Sequence, residues 1–303
     1  MKLTKEGSAA WLLFLAAFLW GSSFVASKIC LNAGLLPFET VFYRMALGVA
    51  GLAILFHREL RHFSPAALRA GLTLGAVTSV IYTAEMFGIS MTETSKASFL
   101  TSTNIVMMPF LCALFFRTRP QPRSFLAAAI TIIGVALMSL NGGERFSLAL
   151  GDSLLLCAAM MYGLTTITVA KLGKGVSPIQ ITFLQLGFTT VYTGIMTLVQ
   201  GRVGSYPPQA IGALLYLAIG PTFICFLIKN YSLQYLSPMR CTLILSTEGV
   251  FCALLSVLIL HDRLTLKMIA GIILIFIGIM TENSGSYVYE KLRERAAFKK
   301  AHE

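Results

Sequence analysis

Three ionisable residues, Arg44, Glu85 and Glu248, lie inside long apolar stretches of this 303-residue sequence. A charged side chain within a bilayer costs about 2.5–3.5 kcal/mol on insertion scales, so each of these residues is a functional candidate. Arg44 and Glu85 are expected at similar depth below the same membrane surface. They could form a static ion pair, or they could bind a zwitterion, with Glu85 contacting an ammonium and the Arg44 guanidinium holding a carboxylate through two hydrogen bonds.

Glu248 is expected near the middle of its apolar stretch, far from either membrane surface. A carboxyl group at that depth could carry a proton or contact a bound ligand. The alternative is a hydrogen-bonded carboxyl group between packed helices. Glu248 is therefore the candidate for proton coupling, and both interpretations stay open at the sequence level.

Polar and aromatic residues recur at helical spacing in the same stretches. Thr78, Tyr82 and Glu85, for example, follow the i, i+4, i+7 pattern of one helix face. Serine and threonine in membrane helices commonly bond their own backbone, which is the plainer explanation for several of these positions. The predicted substrate-binding residues are Trp20, Ser22, Arg44, Tyr82, Glu85, Thr101, Asn104, Tyr162, Thr166, Tyr216, Phe223 and Ser246. Pro109 and Pro221 are candidate hinges, with fixed packing kinks as the alternative.

The composition indicates which elements must position these residues. Hydrophobic residues make up 56% of the chain and charged residues 12%, against about 45–50% and roughly 25% in soluble domains. A soluble enzyme, a nucleic-acid-binding module and a disordered chain are excluded on this ground. A helix needs about 20 mostly apolar residues to span a bilayer, and we find ten such runs: 9–29, 38–56, 67–90, 96–116, 124–140, 152–170, 179–199, 209–229, 239–260 and 266–283. The sequence predicts an all-α integral membrane protein with ten transmembrane helices.

The distribution of basic residues predicts the orientation of the chain. With the N-terminus inside, 17 of the 24 Lys and Arg residues fall on the inner side and six on the outer side. Because basic residues are enriched in cytoplasmic loops, both termini are expected in the cytoplasm. This bias also explains the net charge of +11 without nucleic acid as a partner. The first apolar run is longer than the core of a secretory signal peptide and is expected to remain as a span.

Cysteine and histidine usage argues against metal and disulfide chemistry. The six cysteines include no C-x-x-C pair and lie almost entirely in apolar runs, as buried apolar cysteines do. The four histidines do not cluster along the sequence. No metal, cofactor or catalytic residue is predicted, and the absence of clustered catalytic groups favours a protein that is not an enzyme.

The two halves of the chain resemble each other at an offset near 141 residues. The clearest matches are Trp20-Gly21 with Tyr162-Gly163 and Cys112-Ala113-Leu114 with Cys252-Ala253-Leu254, and the second of these pairs Glu248 with Met108. Each half holds five spans, an odd number, so the second half must enter the membrane from the opposite side. Such inverted repeats are typical of secondary transporters. We predict repeats at 1–141 and 142–285 and a basic cytoplasmic tail at 286–303, which would lie on the anionic inner leaflet.

The sequence resembles the drug/metabolite transporter superfamily, in its ten-helix EamA-type branch. The resemblance covers about residues 9–283 and rests on Leu19-Trp20-Gly21-Ser22-Ser23-Phe24, on Pro37 followed by Arg44, and on the stretch from Glu248 to Leu255 followed by Asp262-Arg263-Leu264. Members often have proline and glutamate where this chain has Gly249 and Asp262. The resemblance implies two inverted five-helix units and a central cavity lined by spans one, three, four, six, eight and nine. It also implies export or exchange of small metabolites, amino acids among them.

Together these observations predict a secondary transporter that works by alternating access in a bacterial inner (plasma) membrane. Its substrate is expected to be a small metabolite, most simply an amino acid, moved by export or exchange with proton coupling through Glu248 as one option. The alternative is uptake or exchange of a larger nucleoside-like or cofactor-like metabolite. The expected partners are the substrate and the lipid bilayer, and a ten-helix unit is expected to act as a monomer.

Overall fold

The computed structural model describes residues 5–117, 122–139, 149–201, 206–262, 265–267, 269–278 and 280–281, and within these ranges it contains helices and no strand. The helices are α1 (Lys5–Asn32), α2 (Pro37–Leu55), α3 (Pro65–Met91), α4 (Thr94–Phe116), α5 (Pro122–Ser139), α6 (Leu150–Leu172), α7 (Pro178–Gln200), α8 (Pro208–Ser232), α9 (Pro238–Leu260) and α10 (Ile269–Gly278). Eight of them are long and apolar enough to cross a membrane. The predicted all-α membrane fold of two five-helix repeats is confirmed. The predicted tail at 286–303 lies outside the described residues.

Proline marks the start of many of these helices. Pro37, Pro65 and Pro178 are the first residues of α2, α3 and α7. Proline suits this position because the first amide of a helix has no intrahelical acceptor and the ring fixes a helical φ. At α3 the Ser64 side chain adds a cap by accepting a hydrogen bond from the Ala67 amide at 3.1 Å. Proline therefore fixes the residue at which each of these three helices begins.

Glycine allows α3 to pack closely against two helices of the second repeat. A Cβ at Gly75 would lie 2.5 Å from Phe188 Cβ on α7, and one at Gly88 would lie 2.5 Å from Leu155 Cγ on α6. Small residues at such crossings let the two backbones approach. Helix α3 of the first repeat is therefore in close contact with both α6 and α7 of the second repeat.

The matched glycines of the two repeats make matching contacts. Gly21 on α1 packs against α9 at Phe251, and Gly163 on α6 packs against α4 at Leu111. Each repeat thus inserts its first helix against the fourth helix of the other. This exchange brings residues from both repeats to the same central region.

Helices α4 and α9 are interrupted at similar points. The first segment of α4 ends after nine residues at Ser102, and the first segment of α9 ends after eight residues at Leu245. The second segments begin with Asn104 and Glu248, respectively. Asn104 and Glu248 therefore occupy equivalent positions in α4 and α9. The repeat offset in the sequence instead pairs Glu248 with Met108, which lies about one helical turn after Asn104. Discontinuous helices in corresponding positions of two repeats are typical of transporter binding sites.

Pro221 lies in a π-helical segment of α8 that runs from Ala218 to Ile224. Proline lacks an amide hydrogen and disrupts the regular hydrogen-bond ladder, so a local change of helix type is expected there. The Pro221 carbonyl accepts a hydrogen bond from Trp20 Nε1 at 2.7 Å, which ties this segment to α1. Pro109, in contrast, lies inside the α-helical segment from Asn104 to Phe116.

Polar contacts join several helices at the end of the bundle where α3 meets α4. Lys96 forms an ion pair with Asp152 at 2.8 Å, and Lys28 Nζ donates to the carbonyls of Ile89 and Thr92 at 2.9 and 3.2 Å. Since these groups belong to α1, α3, α4 and α6, they fasten both repeats together at this end.

The Lys96–Asp152 pair gives a first testable expectation. Asp152 is only 1% exposed, so removing its charge with Asp152→Asn is expected to destabilise the protein by about 2 kcal/mol, the scale of a hydrogen bond to a charged group. The measurement is the thermal unfolding midpoint in detergent. Glu6→Gln is the control, because Glu6 meets Arg240 at 3.7 Å with 63% of its side chain exposed, and such pairs contribute little. Equal losses in the two variants would contradict a structural role for Asp152.

Candidate functional site

A small central cavity lies between the repeats, with a volume of about 20 Å³. This volume holds about one water molecule. Its walls come from α1, α3, α4, α6, α8 and α9, the six helices that the family resemblance implied. The lining residues are Trp20, Ser23, Phe24, Tyr82, Glu85, Asn104, Tyr162, Thr166, Lys229, Thr242, Leu245 and Glu248.

Glu85 is held by a contact between the two repeats. The side chain is 3% exposed, and its Oε2 accepts a hydrogen bond from the Tyr162 hydroxyl. Glu85 belongs to α3 in the first repeat, whereas Tyr162 belongs to α6 in the second. A buried carboxylate keeps its charge only where donors or cations compensate for lost water. The Tyr162 hydroxyl is such a donor.

Lys229 is a cavity residue that the sequence analysis missed. The count of basic residues places Lys229 on the cytoplasmic side, because the predicted apolar run 209–229 ends at this residue. In the structure α8 continues to Ser232, and the Lys229 side chain is 5% exposed. Its Nζ donates to Thr165 Oγ1 at 2.8 Å and lies 5.9 and 5.8 Å from the ring centroids of Trp20 and Tyr162. These distances are within cation–π range. A long lysine stem can carry its ammonium this far from the helix backbone.

The neighbours of Lys229 on α8 fix the direction in which it faces. Asn230 Nδ2 donates to Thr182 Oγ1 at 2.9 Å and to Gln185 Oε1 at 3.1 Å, both on α7. Gln185 in turn donates to Thr78 Oγ1 on α3 at 2.7 Å. Adjacent residues of a helix are about 100° apart around its axis, so with Asn230 held against α7 the preceding lysine lies on a neighbouring face of α8, in the cavity lining.

Glu248 and Asn104 complete the polar wall at the helix interruptions. The Glu248 carboxyl group faces the same cavity as Glu85 and Lys229. The ion pairs at 4.0 Å or less among the described residues do not include either carboxylate with Lys229. The buried Oδ1 of Asn104 makes no hydrogen bond in the protein. The cavity lining therefore combines two carboxyl groups, the Lys229 side chain and a buried acceptor on Asn104.

Arg44 lies behind the cavity wall. It is 1% exposed, its Nε donates to Thr222 Oγ1 at 2.9 Å, and its guanidinium carbon lies 4.8 Å from the ring centroid of Tyr82. The ion pair with Glu85 that the sequence suggested is not formed. Arg44 instead supports Tyr82, whose ring stands between the guanidinium and the cavity lining.

Five other predicted binding residues lie outside the cavity lining. The hydroxyls of Thr101 and Ser246 donate to carbonyls of their own helices, as the plainer explanation anticipated. Ser22 and Tyr216 bond each other at an exposed position, and Phe223 packs near Phe56. Six predicted binding residues do line it, together with the proton-coupling candidate Glu248: Trp20, Tyr82, Glu85, Asn104, Tyr162 and Thr166. Apart from Lys229, the remaining lining residues are Ser23, Phe24, Thr242 and Leu245. Of these, Thr242 lies four residues before Ser246 and so shares its helix face.

The fold and the enclosed polar cavity define a multi-pass membrane transporter. The chain belongs to the EamA-like transporter family, whose family model matches residues 7–140 and again residues 149–282. The two matches cover the two five-helix repeats. Membership agrees with the resemblance that the sequence motifs suggested.

Several known proteins are similar to this chain over most of its length. An uncharacterized transporter of Archaeoglobus fulgidus is 25% identical over 88% of this chain and 83% of its own. A Chlamydia trachomatis protein named S-adenosylmethionine/S-adenosylhomocysteine transporter is 24% identical over 76% of both chains. A solved structure titled "Crystal structure of protein" covers 91% of this chain and 98% of its own, with a TM-score of 0.69 and 16% identity. This last likeness shows the fold alone.

Proposed function

We propose that this protein moves a small metabolite bearing an ammonium group, in the simplest case an amino acid, across the bacterial plasma membrane. The observation that carries the proposal is the pair of buried carboxyl groups, Glu85 and Glu248, in a cavity with aromatic walls. Carboxylates and aromatic faces are the groups that recognise organic cations. The ammonium of Lys229 already lies within cation–π range of Trp20 and Tyr162, which supports the fit of these walls to such a group.

Alternating access follows from the location of the cavity between two repeats. Each repeat supplies one of the carboxyl groups, so a rocking motion of one repeat against the other would change which side of the membrane they face. Export and exchange are both compatible with such a cycle. One ten-helix chain surrounds the cavity, which supports a monomer as the working unit, with both termini in the cytoplasm.

The direct test is counterflow in proteoliposomes containing the purified protein. A panel of labelled amino acids would be measured with S-adenosylmethionine as the representative of larger, nucleoside-bearing metabolites, a class to which the name of the chlamydial relative points. We expect saturable counterflow of at least one amino acid and none in protein-free vesicles. Flux of S-adenosylmethionine alone would favour the larger-metabolite alternative. No flux of any panel member, in vesicles shown to be intact, would contradict the proposal.

Proton coupling through Glu248 makes a separate prediction. An imposed pH gradient is expected to accelerate wild-type transport. Glu248→Gln is expected to exchange more slowly at equal pH, because one carboxyl group that faces the substrate ammonium is lost, and to show no acceleration by the gradient, since an amide cannot carry the proton. Glu39→Gln is the matched control, because Glu39 is also buried but caps α2, accepting from the Leu36 amide outside the cavity. Acceleration that survives in Glu248→Gln would exclude this residue as the proton carrier.

A further inference from the structure

The central cavity keeps its positive and negative groups apart. The Lys229 ammonium bonds Thr165 at 2.8 Å and rests between Trp20 and Tyr162, and neither Glu85 nor Glu248 is paired with it among the described ion pairs. A lysine on a flexible stem beside two carboxyl groups would collapse onto one of them if nothing held it. The threonine hydroxyl and the two rings hold it in place.

Lys229 has hydrogen-bond donors available for a carboxylate of the substrate. The ammonium has three N–H donors, and Thr165 is the hydrogen-bond acceptor that the structure gives it. Within the described part of the chain, Glu248 acts on Lys229 electrostatically but forms no ion pair with it at 4.0 Å or less. A carboxylate on the substrate would therefore add a direct charged partner at this position. Arg44 is not in the cavity lining; its guanidinium lies against the Tyr82 ring and its Nε donates to Thr222.

We infer that Lys229 binds the carboxylate of the substrate while Glu85 and Glu248 face its ammonium, so that the cavity selects zwitterions over simple amines. This inference rests on the proposed function and adds the substrate's second charged group to it. A carboxylate at Lys229 gives the zwitterion a second charged contact that an amine of the same size lacks. Lys229 is thereby the residue that determines specificity between the two classes.

The test compares an amino acid that exchanges in the counterflow assay with the amine that results from removing its carboxyl group. Half-saturation concentrations of both would be measured for wild type and for Lys229→Met, which keeps an unbranched side chain of similar length without the charge. We expect wild type to prefer the amino acid by about tenfold or more and Lys229→Met to lose this preference, mainly through weaker binding of the amino acid. Lys171→Met is the control, because Lys171 lies against Phe115 and Phe116 outside the cavity lining, and its preference should match wild type.

The outcomes separate this inference from the proposed function. Equal half-saturation concentrations of the amine and the amino acid in wild type would agree with the proposed function and overturn the role of Lys229. An unchanged preference in a folded Lys229→Met protein would also overturn it. If that variant fails to fold, the wild-type measurement still tests the inference, because equal half-saturation concentrations for the two compounds would overturn it. Transport of neither compound by wild type would overturn both the proposed function and this inference.

Discussion

Glu85→Gln is expected to lower the counterflow rate by about 10- to 100-fold, the scale set by the loss of a hydrogen bond to a charged group. Glutamine has nearly the same shape and keeps an oxygen that can accept from the Tyr162 hydroxyl, the partner of Glu85. The fold should therefore survive, and the loss should reflect the missing negative charge at the substrate ammonium. Transport in proteoliposomes and thermal unfolding in detergent would be measured on the same preparation.

Tyrosine variants test whether the orientation of Glu85 matters as well as its charge. Tyr162→Phe keeps the aromatic wall and removes the hydroxyl that bonds Glu85, so a smaller loss of transport is expected. Tyr192→Phe is its matched control, because Tyr192 packs near Phe38 on α2 and is not in the cavity lining. Full transport by a folded Glu85→Gln protein would show that Glu85 is structural and would direct attention to Glu248.

Gly21→Ala is expected to produce the largest loss of stability among single methyl additions on α1. The new Cβ would lie 2.5 Å from the Glu248 carbonyl oxygen and 2.9 Å from Phe251 Cβ. Neither atom can rotate away, so α1 and α9 must separate. Overpacking of this kind costs about 1–3 kcal/mol or more. Because Glu248 begins the second segment of α9, the shift would also move a cavity residue, and we expect transport to fall with stability.

Gly51→Ala provides the matched control for this substitution. A Cβ at Gly51 on α2 would meet no atom within 4 Å, so alanine should be neutral or stabilise the helix by roughly 0.4–1 kcal/mol. Thermal unfolding midpoints and counterflow rates of the two variants would be compared. Similar behaviour of Gly21→Ala and Gly51→Ala would mean that α1 and α9 are not in the close contact described.

The sequence by itself determined the class of fold and much of the cavity. Backbone groups in lipid must bond internally, so apolar runs of sufficient length become helices and their number can be counted directly. Glu85 and Glu248 could be identified as candidates because carboxyl groups are rare inside such apolar runs. The repeat brought Trp20 and Tyr162 into correspondence, and both rings line the cavity.

The partners of the charged groups were decided by the tertiary structure alone. Helices that are apolar on most sides have no strong periodicity to fix which side faces inward, so depth along α2 and α3 suggested Arg44 as the partner of Glu85. In the folded protein the Glu85 carboxyl group instead accepts a hydrogen bond from the Tyr162 hydroxyl, and Arg44 Nε donates one to Thr222 Oγ1. Lys229 lies in the cavity lining, and its neighbour Asn230 holds an adjacent face of α8 against α7. Such contacts join residues far apart in sequence, and local patterns do not encode them.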